Sequence, residues 1–145
     1  MRAAYVLDTG VIVTALRSRN GASRLLLNAA AIGRFDLLLS VPLLVEYEAV
    51  LSRPEQLAAC GLNPVELGQV LDNLAAVARP VHVSYRWRPM LTDPDDEMVM
   101  ETALNGGATA LVTFNQRHFA RMAGHSHCEV LVPSAALQRI GGRTT

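Results

Sequence analysis

The sequence predicts an α/β fold in which a mostly parallel sheet is covered by helices on both faces. Short apolar segments of strand length alternate along the chain with longer segments that have helical periodicity. Prolines and short polar residues mark the starts of several of these helices. The 145 residues, half of them hydrophobic, suffice for one core. We therefore expect a single domain at residues 1–140, followed by a flexible tail at 141–145.

The first half of the chain contains two predicted strands. Ala4–Leu7 is an apolar run that ends at Asp8, and Phe35–Leu39 is a second run of strand length. Ser40 is suited to cap a helix, and Asn63–Glu66 combines a cap residue, a first-turn proline and a capping-box acid. The helices predicted here are Val11–Arg17, Gly21–Arg34, a third from Ser40 to about Ser52 that Pro54 stops, and a fourth from Asn63 to about Ala78.

The second half adds three predicted strands. A helix opens at Asp93–Asp96 and closes at Gly106–Gly107, a pair typical of helix C-termini. A last helix starts near Ser134, and we expect loops at Ser84–Thr92 and at Asn115–Met122, the latter with a short helix. The predicted strands are a brief one at Val81–Val83 and clearer ones at Thr109–Thr113 and Glu129–Val132.

All 13 basic residues are arginine, and the absence of lysine excludes several kinds of active site. A Walker phosphate-binding loop, a Schiff-base nucleophile and a kinase-type catalytic centre all require lysine. The 13 acidic residues bring the net charge to zero, which argues against a protein that coats nucleic acid through bulk charge. Any contact with nucleic acid must then be local, through arginine clusters or metal ions.

The chain shows the features of a cytoplasmic protein. Cys60 and Cys128 lie far apart and form neither a C-x-x-C pair nor a disulfide framework, which indicates a reducing compartment. No segment is long and apolar enough to span a membrane, and no signal peptide fits before Asp8. We expect no membrane contact.

Three acidic or amide residues stand where an α/β sheet places its functional groups. Asp8 and Asn115 each follow a predicted strand, at the carboxyl edge where such sheets form sites, although either could be an ordinary turn or cap residue. Asp96 is aligned with Val99 and Ala103 on the helix stripe that should face the sheet. Its alternative role is a reciprocal helix cap, and the helix dipole favours acids there in any case.

A glutamate pair in the third predicted helix forms a further candidate. Glu46 and Glu48 lie at similar angles to the apolar stripe, so helical periodicity does not choose between them. We expect one of them to be nearly buried, which is costly unless the carboxylate is paired or binds a cation. An ion pair with Arg53 is the ordinary alternative.

Together these residues predict a metal centre. If Asp8, one of the two glutamates and Asp96 converge at the carboxyl edge of the sheet, their mutual repulsion requires a cation. Mg²⁺ suits a site made of oxygen ligands that water and phosphate complete.

Four segments, in this order and spacing, resemble the PIN-domain family over nearly the whole chain. The resemblance is strongest to the branch of toxin components of type II toxin–antitoxin systems, the VapC-like ribonucleases. The segments are V-L-D-T-G-V-I-V-T-A-L at Val6–Leu16, L-L-V-E-Y-E-A-V-L-S-R-P at Leu43–Pro54, D-P-D-D-E-M-V-M-E-T-A at Asp93–Ala103 and L-V-T-F-N-Q-R-H-F at Leu111–Phe119.

The resemblance implies a three-layer α/β/α sandwich and an endoribonuclease that depends on Mg²⁺ or Mn²⁺. It assigns the family's catalytic and metal-binding acids to Asp8, Glu46 and Asp96. Asn115 stands where many PIN domains carry a fourth acid, so its side-chain carbonyl would bind the metal less tightly and the number of metal ions stays open. The resemblance also gives supporting positions on either side of the site, at Thr9 and Thr113.

The expected partners are an RNA substrate, a cognate antitoxin protein and a second copy of the chain in a homodimer. Arg17, Arg19 and Arg24 follow the first motif and are candidates for binding RNA phosphates, although they could equally be solvated loop charges. The alternative function is a protein-binding module with the same fold and no nuclease activity, in which the acids merely cap helices. The high hydrophobic content favours a protein partner under either hypothesis.

Overall fold

Five strands in the described part of the chain form one parallel sheet. The structure, a computed structural model, describes residues 2–84, 94–123 and 127–141, without the side chains of Pro94, Asp95 and Ala123. The strands are β1 (Ala4–Leu7), β2 (Asp36–Leu39), β3 (Arg79–Pro80), β4 (Ala110–Val112) and β5 (Glu129–Leu131). Their order across the sheet is β3-β2-β1-β4-β5, so β1 lies at the centre between β2 and β4.

Helices flank this sheet, as the sequence predicts, and the α/β/α sandwich is confirmed. They are α1 (Thr9–Arg17), α2 (Ala22–Ala31), α3 (Val41–Leu51), α4 (Pro54–Cys60), α5 (Pro64–Val77), α6 (Pro94–Gly106), α7 (Ala120–Ala123) and α8 (Pro133–Arg139), with a 3₁₀ helix at Gln116–Phe119.

Two predicted helix starts have the expected side-chain hydrogen bonds. The Leu43 amide donates to Ser40 Oγ over 3.2 Å at the start of α3. At the start of α5, the Glu66 amide donates to the Asn63 side chain and the Asn63 amide donates to the Glu66 carboxylate. These bonds satisfy amides that have no partner within the helix, so the local sequence fixes both starts.

Two elements differ from the sequence prediction. The predicted strand Val81–Val83 is wrong, because the strand consists of Arg79–Pro80, whose proline is tolerated at the edge of a sheet. Beyond it only the Val81 amide continues the pattern, donating to the Leu39 carbonyl. Helix α4 was not predicted, because Pro54 separates it from α3 and also occupies its first turn, where no amide is needed.

Other predictions fall wholly or partly outside the described residues. The predicted loop Ser84–Thr92 is described only at Ser84, and the first residue of the Asp93–Asp96 helix start also lies outside. Of the predicted tail at 141–145, only Gly141 is described.

The core lies where β1 and β4 meet the helices that cover them. Every residue of these two strands is buried, and Leu7 pairs with Val112 at their carboxyl ends. Tyr5 contacts the ring of Phe35, and its hydroxyl donates to the Ala136 carbonyl of α8 over 3.0 Å. The two strands therefore end side by side, and the residues that follow them emerge close together.

None of the described helices has the length and apolar character needed to cross a bilayer. Cys60 and Cys128 are both free cysteines.

Candidate active site

Asp8 is a buried acid at the carboxyl end of the central strand, with 9% of its surface exposed. Its backbone begins α1, but its side chain makes no capping hydrogen bond to the described first turn of that helix. Instead, Asp8 Oδ2 accepts a hydrogen bond from Thr113 Oγ1 over 2.7 Å. The carboxylate is thus directed toward the end of β4, which a simple capping role does not require.

Thr113 connects the ends of β1 and β4. It is fully buried, and its hydroxyl also accepts a hydrogen bond from the Asn115 amide over 3.0 Å. One hydroxyl group therefore orients the Asp8 carboxylate and fixes the chain that leaves β4.

Asp96 lies at the same edge through a second set of contacts. Its Oδ2 atom lies 3.0 Å from Nδ1 of His118, and the Asp96 side chain is only 14% exposed. The His118 amide donates to the Asn115 carbonyl over 3.0 Å. A continuous series of contacts thus joins the two acids, from Asp8 through Thr113, Asn115 and His118 to Asp96.

The two glutamates of helix α3 differ in their exposure. Glu48 is exposed, whereas Glu46 is half-buried. Between them in sequence, the fully buried Tyr47 donates a hydrogen bond to the carbonyl of Leu7, the residue before Asp8. Helix α3 is therefore fixed to the end of β1 one residue away from Glu46.

The negative charge of Asp8 affects the pKa of Tyr47. Burial, and then the negative charge of Asp8, raise the pKa of Tyr47 far above its usual value. The hydroxyl is therefore protonated at neutral pH and donates its hydrogen bond.

The comparison with protein families supports what the motifs imply. A family model described as PIN domain matches residues 4–117. The chain belongs to the PIN-domain family. Members of this family are generally nucleases. No curated protein matches the chain.

The matched range includes the acids that the sequence motifs indicate. Asp8 follows β1, Glu46 lies in α3 and Asp96 lies in α6. Asn115 is exposed, and its backbone has two of the contacts described above. Thr9, the other expected supporting residue, is half-buried in the first turn of α1.

Two further acids of the PIN domain are buried, and the sequence pattern did not identify them. Glu97 and Glu101 are 5% and 4% exposed, one turn apart on α6. Beside them, Thr102 Oγ1 lies 2.7 Å from Ser40 Oγ, which joins α6 to the start of α3. The i and i+4 spacing of the two glutamates next to the apolar stripe was the available signal, but acids there are ordinarily solvent-exposed.

The arginine candidates lie on α1, on α2 and in the segment between these helices. Arg17 ends the nine-residue helix α1, which separates it from Asp8 by about 13 Å along the helix axis. Arg24 donates to the Ala15 carbonyl over 3.1 Å, a contact that joins α1 to α2. Arg19 is exposed between these helices.

The candidate residues offer the type of ligand atom that a hard divalent cation prefers, but they do not form a complete metal site. Asp8, Glu46, Asp96 and Asn115 offer only oxygen ligands, which Mg²⁺ prefers. Among the described side chains, however, no group of three or more His, Cys, Asp and Glu residues could hold a metal ion. The side chain of Asp95, at the same helix start, lies outside that set.

Proposed function

We propose that this PIN domain is an endoribonuclease that depends on Mg²⁺ or Mn²⁺ and is the toxin of a toxin–antitoxin pair. One observation supports the proposal most. Asp8 is a buried carboxylate that Thr113 turns away from its own helix, and a series of contacts joins it to Asp96. This arrangement orients two acids at the edge of the sheet where α/β folds bind ligands.

In this proposal, Asp8, Glu46 and Asp96 hold the cation, the Asn115 carbonyl contributes, and water and substrate phosphate complete the coordination. A divalent ion in such a site supplies positive charge to the scissile phosphodiester and makes attacking water more acidic. The surrounding residues set the positions of the acids: Thr113 orients Asp8. In this proposal, Arg17 and Arg19 bind RNA phosphates other than the scissile one.

The remaining contacts at this edge have positioning roles. His118 holds Asp96, and Tyr47 fixes α3 to the end of β1. Asp96 and Glu46 would thereby be held in position relative to that strand. Outer-shell partners of this kind are worth about 10- to 100-fold in metal affinity or activity.

The expected partners have a physical basis on α3. Val41 and Val45 are 74% and 57% exposed, and they lie one turn apart on the same side of the helix. Adjacent exposed valines are typical of surfaces that meet another protein, which suits either a second copy or an antitoxin.

The alternative is a PIN-fold binding module without nuclease activity. The lack of a metal-holding group among the described side chains favours it, as does the engagement of Asp96 by His118. In that case the acids at this edge serve only the fold.

A nuclease assay on a panel of defined RNAs with Mg²⁺ separates the two functions. We expect Asp8→Asn to lose more than the roughly 10- to 100-fold that an outer-shell partner is worth. Glu46→Gln should also be impaired, whereas Glu48→Gln, which changes an exposed neighbour on the same helix, should match the wild type. Equal cleavage by the wild type and Asp8→Asn, or cleavage that persists in a chelator, would contradict the proposal.

The toxin assignment needs a separate test in cells. Expression of the chain alone should slow growth, and co-expression with the protein encoded next to it should restore growth. If the protein is a nuclease that requires Asp8 but its expression leaves growth unchanged, the toxin assignment is rejected and the enzyme assignment stands.

A further inference from the structure

An open depression of about 650 Å³ lies directly after β4. Five consecutive residues line it among those described, Phe114, Asn115, Gln116, Arg117 and His118. It adjoins the candidate active site, because Thr113 precedes this segment and bonds Asp8, and His118 contacts Asp96. A ligand in the depression would therefore extend toward both acids.

Phe114 is an aromatic ring on the surface of this depression. It is 50% exposed, whereas Phe35 and Phe119, the other phenylalanines, are buried. Exposure of a large ring forgoes the stabilisation of burial, about 1.5–3 kcal/mol for a complete side chain. The fold gains little from Phe114 at this position, so a role in binding is the better explanation.

The backbone around Phe114 is fixed. The Asn115 amide donates to Thr113 Oγ1, which holds the chain on both sides of Phe114 in a tight turn. Two residues on, Gln116 Nε2 donates to the Val130 carbonyl of β5 over 3.0 Å. The ring is therefore presented by an anchored segment, so that little conformational entropy is lost when a ligand covers it.

The remaining lining residues suit a nucleotide better than a protein. Four of the five are polar or charged, including the exposed guanidinium of Arg117. An apolar helix of a partner would leave these groups without hydrogen bonds, whereas a nucleotide offers a base to the ring and a phosphate to the cation. Stacking on a side chain requires an unstacked base, which favours single-stranded RNA over a duplex.

We propose that residues 114–118 form a subsite for one nucleotide of single-stranded RNA, in which the base stacks on Phe114 and Arg117 attracts the phosphate backbone. The inference rests on the proposed nuclease function, since it places this nucleotide next to the phosphodiester at Asp8 and Asp96. In this inference, the chain after β4 binds the substrate, and the acids serve catalysis.

The test compares Phe114→Leu with Phe114→Tyr, because leucine keeps an apolar side chain without a ring and tyrosine keeps the ring. A single-stranded RNA that contains 2-aminopurine reports stacking through quenching of its fluorescence, measured without divalent cations so that no cleavage occurs. The wild type and Phe114→Tyr should quench the fluorophore. Phe114→Leu should quench little and bind about 5- to 100-fold more weakly.

Kinetics with Mg²⁺ give a second readout that a structural role would not reproduce. Phe114→Leu should raise KM by a similar factor with kcat nearly unchanged, and its denaturation midpoint should equal that of the wild type. Equal quenching, affinity and KM in all three proteins would overturn the subsite. A change in oligomeric state for Phe114→Leu, without an effect on RNA, would assign the ring to a protein interface and would overturn it as well.

The two proposals fail in distinguishable ways. Cleavage that depends on Asp8 but not on the Phe114 ring would reject only the subsite. Ring-dependent binding without cleavage by the wild type would reject the nuclease and keep the binding site. A wild type that neither binds nor cleaves any RNA would reject both.

Discussion

Thr113 is the residue on which the geometry of the candidate site depends most. Its hydroxyl is fully buried, donates to Asp8 and accepts from the Asn115 amide. Removal of this hydroxyl would leave a buried carboxylate oxygen and a backbone amide without that partner at the same time. Groups left without partners in this way cost about 1–3 kcal/mol each.

We therefore expect Thr113→Val, which keeps the shape of the side chain, to lower the free energy of unfolding by about 2–6 kcal/mol, the sum for the two groups. It should also weaken Mn²⁺ binding or activity by about 10- to 100-fold, because the orientation of Asp8 is lost. Thr113→Ser keeps the hydroxyl and should restore most of both. Urea denaturation and calorimetric Mn²⁺ titration measure the effects, and a Thr113→Val protein equal to the wild type in both would refute this role.

Tyr47 makes the stability of the protein depend on pH in the alkaline range. Its pKa is raised by burial and by the Asp8 charge, whereas in the unfolded chain the phenol ionises near its ordinary value of 10.0. Above that pH the unfolded state releases a proton that the folded state keeps, so the free energy of unfolding falls. The contribution of Tyr47 is complete below about pH 10 and declines above it by about 1.4 kcal/mol per pH unit.

Tyr47→Phe should therefore show a shallower loss of stability than the wild type between about pH 10 and 11. Denaturation curves collected across this range give the two slopes. The other groups that titrate there, including the thiols of Cys60 and Cys128 with their raised pKa values, are common to both proteins and cancel in the comparison. Parallel slopes would show that Tyr47 ionises equally in the folded and unfolded states.

Local sequence patterns identify some residues of the candidate site and not others, for physical reasons. Asp8 and Asp96 were identifiable because each has a defined position relative to a strand end or an apolar helix stripe. Glu46 and Glu48 are equivalent by angle, and they differ in the structure because Glu46 is half-buried whereas Glu48 is exposed. The contact that fixes α3 here joins Tyr47 to Leu7, 40 positions apart, which no local pattern reveals.

Among the elements, β3 shows how a local sequence pattern can mislead at the edge of a sheet. The valines of Val81–Val83 predict a strand, but the Val81 side chain instead packs against the C-terminus of α6. Arg79 secures the true strand through Asp36 Oδ2 and through the Gly106 carbonyl, both at 3.2 Å. These contacts come from β2 and α6, so the position of β3 is decided by tertiary structure.

The close approach at the end of α6 requires glycine. A Cβ atom on Gly106 would lie 2.8 Å from Val81 Cγ2 and 2.9 Å from Leu38 Cδ1. Gly106→Ala should therefore destabilise the protein by about 1–3 kcal/mol, as overpacking does. Gly68→Ala is the matched control in α5, since a Cβ atom there would meet no described atom within 4 Å beyond the backbone of its own helix and its chain neighbours.

We expect Gly68→Ala to stabilise the protein by about 0.5–1 kcal/mol, because alanine has the higher helix propensity. Urea denaturation midpoints of the two variants should thus shift in opposite directions. A stabilising Gly106→Ala would show that Val81 and Leu38 can move apart at little cost.

At the scale of the whole molecule, the order of strands explains why the site lies where it does. From β1 the chain adds β2 and then β3 on one side, and it later adds β4 and β5 on the other. The direction reverses between β1 and β4, the place where the connections of a doubly wound sheet diverge and leave a crevice. Asp8 and Asn115 follow these two strands. The alternation of strands and helices predicted a parallel sheet with both residues after strand ends, but it did not predict the order of the strands.

The proposed metal centre should couple to the stability of this whole fold. A ligand that binds only the folded state at 100 times its Kd adds about 2.7 kcal/mol to the free energy of unfolding. Saturating Mn²⁺ should therefore stabilise the wild type by about that amount, and Asp8→Asn should lose the gain. Without metal, Asp8→Asn should have a stability close to that of the wild type, because the amide still accepts from Thr113. The two proteins should then differ in stability only when Mn²⁺ is present. Asp72→Asn, which changes an exposed acid on α5, should keep the full gain in stability.

An equal gain in wild type and Asp8→Asn would place the bound Mn²⁺ elsewhere on the molecule. No gain in either protein would show that the acids near the end of β1 bind no Mn²⁺.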